Sequence, residues 1–260
     1  MSEILHTIDF VTVVYNHQSE MIQEMVDSIR NVMQYCPHFD YGVIIQDNSD
    51  DEKETLKVKG CDTISLSTTN FGYCGGNNRA IEKSSAEYII IINPDIKITN
   101  SLCVDWLIGT SKLYNCISGR LIGNNNWYTY AASFPTDKKY EPEKLPFFYD
   151  QPTLPKPGNW KAFKYIDGSL MCFSKKLWGN VGGFDEKIHP GYFGENTFSF
   201  SAFLNGFSIH DAHIGKYFTH TSIHKKQIVN QIKKWSQQGR EYFYKYYALP
   251  NWDKFIEYLG

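Results

Sequence analysis

The chain has 260 residues, 42% hydrophobic and 16% aromatic, which is the composition of one large globular domain and excludes a disordered protein. No window approaches the roughly 18 apolar residues of a membrane span, and Met1-Ser2-Glu3-Ile4-Leu5-His6 lacks the basic and apolar regions of a secretory signal, so a cytoplasmic location is expected. The formal net charge of −2 is unevenly spread: residues 225–260 carry seven bases against three acids, the first 224 carry 19 against 25, and nucleic acid is not an expected partner of that acidic body.

The first hundred residues alternate strand and helix. Residues 10–15 form a β-branched run that stops at Asn16, the pattern of a buried strand. Ser19 is a good N-cap, with Glu20 in the first turn, for a helix that lines up Met21, Ile22, Met25, Val26, Ile29, Val32 and Met33 on one face. Residues 41–47 give a second strand closed by a turn at 48–51, and 63–66 a short third. A Gly/Asn-rich turn at 70–78 precedes a short helix through Ala80 and Ile81. Residues 88–92 are a wholly apolar fourth strand, which must be covered on both faces. The expected fold is therefore α/β: a doubly wound, mostly parallel sheet flanked by helices.

Residues 124–159 are proline-rich with little periodicity and read as a long surface excursion. Regular structure is expected again as a strand over 163–173, a helical turn over 175–180, a tight loop at 182–185 and a helix over 196–205 that ends at Gly206. In the basic tail, Ile228, Ile232, Trp235, Tyr242, Phe243 and Tyr246 fall at roughly helical spacing over 226–247, with the lysines largely off that stripe. The six cysteines are scattered without a CxxC pair and read as reduced packing residues.

In open α/β sheets ligands gather at the carboxyl ends of the strands. Here those ends carry Asn16, Asp47 and Asn93-Pro94-Asp95. Asp47 is an acceptor suited to a nucleobase or ribose. Asp95, on a Pro-containing turn, suits a divalent cation that draws its other ligands from water and phosphate. The glycines at 72, 75 and 76 would let backbone approach a phosphate or ribose.

Taken in order, Val13-Val14-Tyr15-Asn16, Gln46-Asp47-Asn48-Ser49-Asp50, Asn70-Phe71-Gly72 through Asn78, Asn93-Pro94-Asp95, Gly168-Ser169, Gly182-Gly183-Phe184-Asp185-Glu186, Gly194-Glu195 and His220-Thr221-Ser222 resemble the family 2 glycosyltransferases of the GT-A fold, and among them the rhamnosyltransferase-like branch. The resemblance spans about residues 9–224. It implies a GT-A domain over 1–224, with a nucleotide-sugar half to about 123 and an acceptor half over 124–224, followed by a basic, aromatic helical annex over 225–260.

The resemblance also implies roles. Tyr15, Asn16, Asp47, Asn70, Gly72, Gly75 and Asn78 would bind the nucleotide, and Asp95 and His220 would hold Mg²⁺ or Mn²⁺. Asp167, Gly168 and Asp185 would face the sugar or acceptor, and Glu195 would be the general base. The implied reaction is inverting, metal-dependent transfer of a sugar from a UDP- or dTDP-sugar to a glycan acceptor, lipid-linked or free, in bacterial surface polysaccharide (O-antigen or capsule) synthesis. The chain departs from the family pattern at Gly194 and Asn196, where acids flank the base, and at Asn93, the first DxD position. Two alternatives stand beside this reading: a non-catalytic carbohydrate-binding module on the same fold, which the thinned acidic motif favours, and a sugar nucleotidyltransferase. The tail stripe reads first as a packing face. Weak peripheral contact at the inner face of the cell membrane, or an oligomer interface, are its other uses.

Overall fold

The computed structural model describes residues 6–67, 69–123, 133–138, 160–221 and 229–260. Most of the expected 124–159 excursion lies outside the described residues. A seven-stranded sheet runs through the molecule in the order β10-β6-β9-β4-β1-β2-β3. Its members are β1 (His6–Val14), β2 (Phe39–Asp47), β3 (Thr63–Leu66), β4 (Tyr88–Ile92), β6 (Cys116–Ile122), β9 (Tyr165–Ser174) and β10 (Ser208–Asp211). All are parallel except β9, which runs antiparallel to both β4 and β6. Two small antiparallel ladders complete the strands: β5 (Ile96–Ile98) with β11 (Phe218–His220), and β7 (Ser133–Pro135) with β8 (Trp160–Ala162).

The apolar run at 88–92 explains the layering. Its side chains alternate across the sheet, so Ile89 and Ile91 enter one core while Ile90 and Ile92 enter the other. The Ile90 side is covered by α1 (Ser19–Met33) and α3 (Leu102–Tyr114), through Ile22, Met25, Ile29, Val104 and Leu107 among others. The Ile89 side is covered by α2 (Gly72–Lys83), α4 (Lys175–Val181), α5 (Gly194–Leu204) and the C-terminal helices.

Several boundaries differ from expectation. β1 starts at His6 and ends at Val14, and α5 begins at Gly194. Gln18, not Ser19, precedes the first turn of α1, without a side-chain cap. The largest difference is α2. The Gly/Asn-rich segment is helix from Gly72 onward, because its glycines are needed for close packing. A Cβ on Gly76 would lie 2.7 Å from a Val13 methyl and 2.8 Å from Asn48 Nδ2, so only glycine lets the helix sit this close to β1.

The tail comprises α6 (Val229–Phe243), a π-helical turn (Tyr244–Ala248) and α7 (Trp252–Leu259), and it shares the larger core. Phe134, fully buried, is the centre of an aromatic cluster with Phe163, Phe243, Tyr244 and Phe255, at ring separations of 5.4 to 5.8 Å. Among the tail's aromatics, Phe243 and Tyr244 are fully buried, Trp235 stacks on Tyr192, and Tyr246 stays 53% exposed. Packing is thus the use the structure shows for most of the stripe.

Candidate active site

The parallel register places Val14 beside Asp47 and Val11 beside Ile91, so the carboxyl ends of β1, β2 and β4 open onto one edge. Asp47 is 1% exposed. Its Oδ1 accepts the Ser49 backbone N–H at 2.8 Å, while its Oδ2 has no hydrogen-bond partner. A buried carboxylate oxygen left in that state is costly unless a ligand satisfies it.

The loops beyond the strand ends are tied to one another. Asn16, at φ 53°, donates through Nδ2 to Asp50 Oδ2 at 3.0 Å and accepts the Asp50 N–H at 3.2 Å. The Tyr15 hydroxyl donates to the same Asp50 oxygen at 3.3 Å, and the Asn16 N–H donates to Ser49 Oγ at 2.8 Å. Tyr15, Asn16 and Asp47 are therefore brought together.

His17, which sequence reasoning passed over, lies among them. Its Nδ1 accepts the Tyr15 N–H at 3.0 Å, which leaves the proton of the neutral ring on Nε2. Burial lowers its pKa, although both Asp95 and Asp47 act to raise it, so the ring lies within electrostatic reach of both carboxylates. The only signal in the sequence was its position directly after Tyr15-Asn16.

Asp95 follows β4 and meets His220 at the end of β11, where the ladder pairs His220 with Ile96. The imidazole Nε2 lies 3.2 Å from Asp95 Oδ2, and the Thr221 N–H donates to the Asp95 carbonyl at 3.0 Å. The hydrogen bond to Asp95 raises the His220 pKa. The two expected metal ligands are therefore neighbours, with side chains 18% and 29% exposed.

Next along the edge is Asp167. The pairing of Ile92 with Leu170, and the Asn93 N–H donating to Ser169 O at 2.8 Å, set the 93–95 turn beside 167–169. Asp167 forms an ion pair with Arg120 and accepts the Ser169 N–H at 3.0 Å. Arg120 on β6 was also missed.

Glu195 stands in the first turn of α5. A Cβ on Gly168 would be 3.2 Å from the Glu195 Cβ and 2.8 Å from the Tyr73 hydroxyl, so glycine there lets β9 pack closely against Tyr73 and Glu195. Tyr73 donates its hydroxyl proton to Gly168 O at 2.7 Å. Burial, with Asp167 nearby, pushes the Glu195 carboxyl up to about 7.

The residue that launches the helix, Phe193, is 5% exposed and sits at φ 82°, a strained conformation for a non-glycine residue. Phe134 and Phe243 hold its ring, at 6.0 and 5.6 Å. The departure at Gly194 also has a cause: a Cβ there would collide with Cys74 Sγ, so no acidic side chain fits.

The remaining expected site residues fall elsewhere. Asn70 caps the start of α2 by accepting the Gly72 N–H at 2.8 Å. Gly72, at φ +66°, packs against the Pro190 carbonyl and stays linked to the strand edge through Asn48 Nδ2 at 3.1 Å. Gly75 faces Phe71 and Arg79. Asn78 is paired with the 184–186 segment: its Nδ2 donates to Phe184 O and Glu186 Oε1, and its Oδ1 accepts the Phe184 N–H. Asp185 accepts hydroxyl protons from Tyr242 at 2.9 Å and Tyr247 at 2.7 Å, and the Lys187 N–H at 3.0 Å, so the structure engages it in docking the tail.

One polar edge therefore runs Asp47, His17, Asp95, His220, Asp167, Glu195, each within electrostatic reach of the next. Residues 9–150, just over half of the chain, match the profile of Glycosyl transferase family 2. The chain belongs to this family. The glycosyltransferase also resembles solved structures. A fragment of TarS from S. aureus, residues 1–349, aligns with TM-score 0.52 at 14% identity over 98% of this chain and 81% of its own. A longer TarS structure aligns at 15% identity with 48% of its length covered. GalNAc-T7, solved with UDP, GalNAc and Mn²⁺, aligns with TM-score 0.57 at 14% identity over 81% of this chain and 43% of its own. At such identities the likeness shows the fold, which is GT-A. No curated protein sequence matches the chain.

Proposed function

We propose that this glycosyltransferase moves a sugar, with inversion, from a nucleoside-diphosphate sugar to a glycan hydroxyl. The observation that carries the reading is the continuous polar edge from the unsatisfied Asp47 oxygen to the high-pKa Glu195. Asp47 Oδ2, an acceptor only, takes a base or ribose donor. His17 offers its Nε2 proton to an anionic or carbonyl oxygen beside it. Tyr15, 44% exposed, supplies a ring face at the mouth. UDP is the first nucleotide to try, because GalNAc-T7 was solved with it, and dTDP is the second.

Asp95 and His220, a hard carboxylate and an imidazole at contact distance, are the residues that would hold a divalent cation. The protein would thus supply two ligands and leave the others to diphosphate and water, the habit of Mg²⁺ or Mn²⁺ at phosphate sites. When bound, the ion would offset charge on the departing nucleoside diphosphate.

Glu195 accepts the proton of the attacking hydroxyl. With a pKa near 7 it is matched to that task at neutral pH, and Asp167, held by Arg120, sits beside it. Attack by that oxygen from the face opposite the leaving group inverts the anomeric carbon. The acceptor is a polysaccharide intermediate, and the resemblance to the rhamnosyltransferase-like branch makes a deoxyhexose the first donor sugar to test.

A groove of about 400 Å³ between Lys187-Ile188-His189 and the α6 residues Gln238, Gly239 and Tyr242 can receive further sugars. No helix among the described residues is long and apolar enough to cross a membrane. The exposed Lys245 and Tyr246 are the contact a lipid-linked acceptor would meet. The test is transfer, with product stereochemistry read by NMR, by wild type and Glu195→Gln. Retention of configuration, or equal activity of the two proteins, would overturn the assignment. A protein that binds glycan without transferring would be the binding module.

A further inference from the structure

The face of α3 turned away from the sheet is apolar and uncovered. Cys103, Val104, Leu107 and Ile108 are buried in the core, yet Leu102 is 43% exposed, Trp106 50% and Leu113 73%. Gly109 completes the outer stripe, and a Cβ placed there would meet nothing within 4 Å. The spacing 102, 106, 109, 113 runs four, three, four, which keeps all four on one line along the helix. An apolar line on the outer face of a helix is normally covered, and a tryptophan at the centre of such a stripe is costly to leave in water.

We infer that this stripe docks on the same stripe of a second copy of the chain, as an antiparallel helix pair about a two-fold axis. The argument is self-complementarity, which an isologous interface requires. Laid antiparallel about its midpoint, the stripe sets Leu102 against Leu113 of the second copy and Trp106 against Gly109. The largest side chain thus fills the one position with no side chain. The charges agree as well. Asp105 and Lys112 lie on the same flank of the stripe, and in an antiparallel pair equivalent flanks face each other, so Asp105 of each copy meets Lys112 of the other. Among the described residues Asp105 meets His38 at 3.0 Å and Lys112 meets His6 at 2.7 Å, contacts near the surface that can be exchanged for each other across the pair. A parallel pair would set this flank against the opposite one, which carries Cys103 and Thr110 and offers Asp105 and Lys112 no opposite charge.

A single helix pair is a small interface. The dimer is therefore a reversible one that builds up with protein concentration.

Sedimentation velocity of the full chain over a wide concentration range tests this. The expected result is a monomer–dimer equilibrium that Trp106→Glu weakens on the order of thirtyfold, the scale of removing a central aromatic anchor, with the circular dichroism spectrum unchanged. Asp105→Lys alone should weaken the dimer, and Asp105→Lys combined with Lys112→Asp should restore it. That rescue separates pairing from misfolding and fixes the antiparallel register. Monomer at every concentration would overturn the proposal, as would a dimer indifferent to Trp106→Glu, or a monomer that instead sediments with phosphatidylglycerol vesicles through Trp106.

Discussion

Asp47 and Asp185 are aspartates placed in opposite circumstances. Asp47 is almost fully buried with one oxygen unsatisfied, at the edge where β1, β2 and β4 end. Asp185 has its carboxylate filled by two tyrosine hydroxyls and a backbone N–H, all from the chain itself. The first arrangement is unfavourable without a ligand and the second is favourable without one. The difference teaches where this fold keeps its binding free energy in reserve: along the strand ends, while the segment at 184–193 is stabilised by its own contacts with α2 and the tail.

Substitutions on the two sides should have separable effects. The largest belongs to Glu195. Replacement by Gln removes the proposed proton acceptor, and initial-rate assays of transfer should show a loss of about a hundred- to ten-thousandfold, with nucleotide binding retained.

On the other side of the comparison, Asp185→Ala strands two tyrosine hydroxyls and should lower the stability measured by urea unfolding by about 2–3 kcal/mol. Donor affinity should be unchanged. If Asp185→Ala instead abolished donor binding at unchanged stability, the contrast between the two aspartates would collapse.

Asp47→Asn sharpens it from the binding side. Removing a buried charge that lacks a second partner should leave stability within about 1 kcal/mol of wild type and weaken UDP on the order of tenfold, the factor for one lost charge-assisted contact of about 1.5 kcal/mol. Calorimetric titration reads it directly.

The remaining effect is in pH. Glu195 has a folded pKa of about 7 against an ordinary 4.5, so the folded state favours its protonated form. Its contribution to stability is therefore fully present below about 4.5 and is lost as pH rises through about 7. Transfer runs the opposite way, rising with pH as the base ionises. Unfolding midpoints followed from pH 4.5 to 8 should show a decline that is absent in Glu195→Gln.

The layering was legible because periodicity reports it. The all-apolar β4 demands two covered faces, and the alternation of strand with amphipathic helix identifies a doubly wound sheet. The end of α2, through Ala80 and Ile81, was legible but its first turns were not: Gly72, Gly75, Gly76 and two asparagines have the local chemistry of a turn, and it is the close approach to β1 and to Pro190 that makes them helix. Within the site, Asp47 and Asp95 announced themselves as acids at strand ends. Glu195 had no local signature beyond an acid in a first helical turn, and its role rests on the family resemblance. His17 and Arg120 were invisible because their partners, Asp95 and Asp167, are remote in sequence and meet only through the sheet register. The tail showed its aromatic stripe but not its destination around Phe134.

The central claim is that the strand-end edge is a donor site whose metal-dependent half is Asp95 with His220. The most direct test is thermal unfolding with UDP, with Mn²⁺ and with both, on wild type and Asp95→Ala. A ligand at a hundred times its dissociation constant stabilises the folded state by about 2.7 kcal/mol. The account predicts that stabilisation for wild type only when UDP and Mn²⁺ are present together, and its loss in Asp95→Ala. Equal stabilisation of both proteins, or none for wild type with UDP or dTDP, would contradict it.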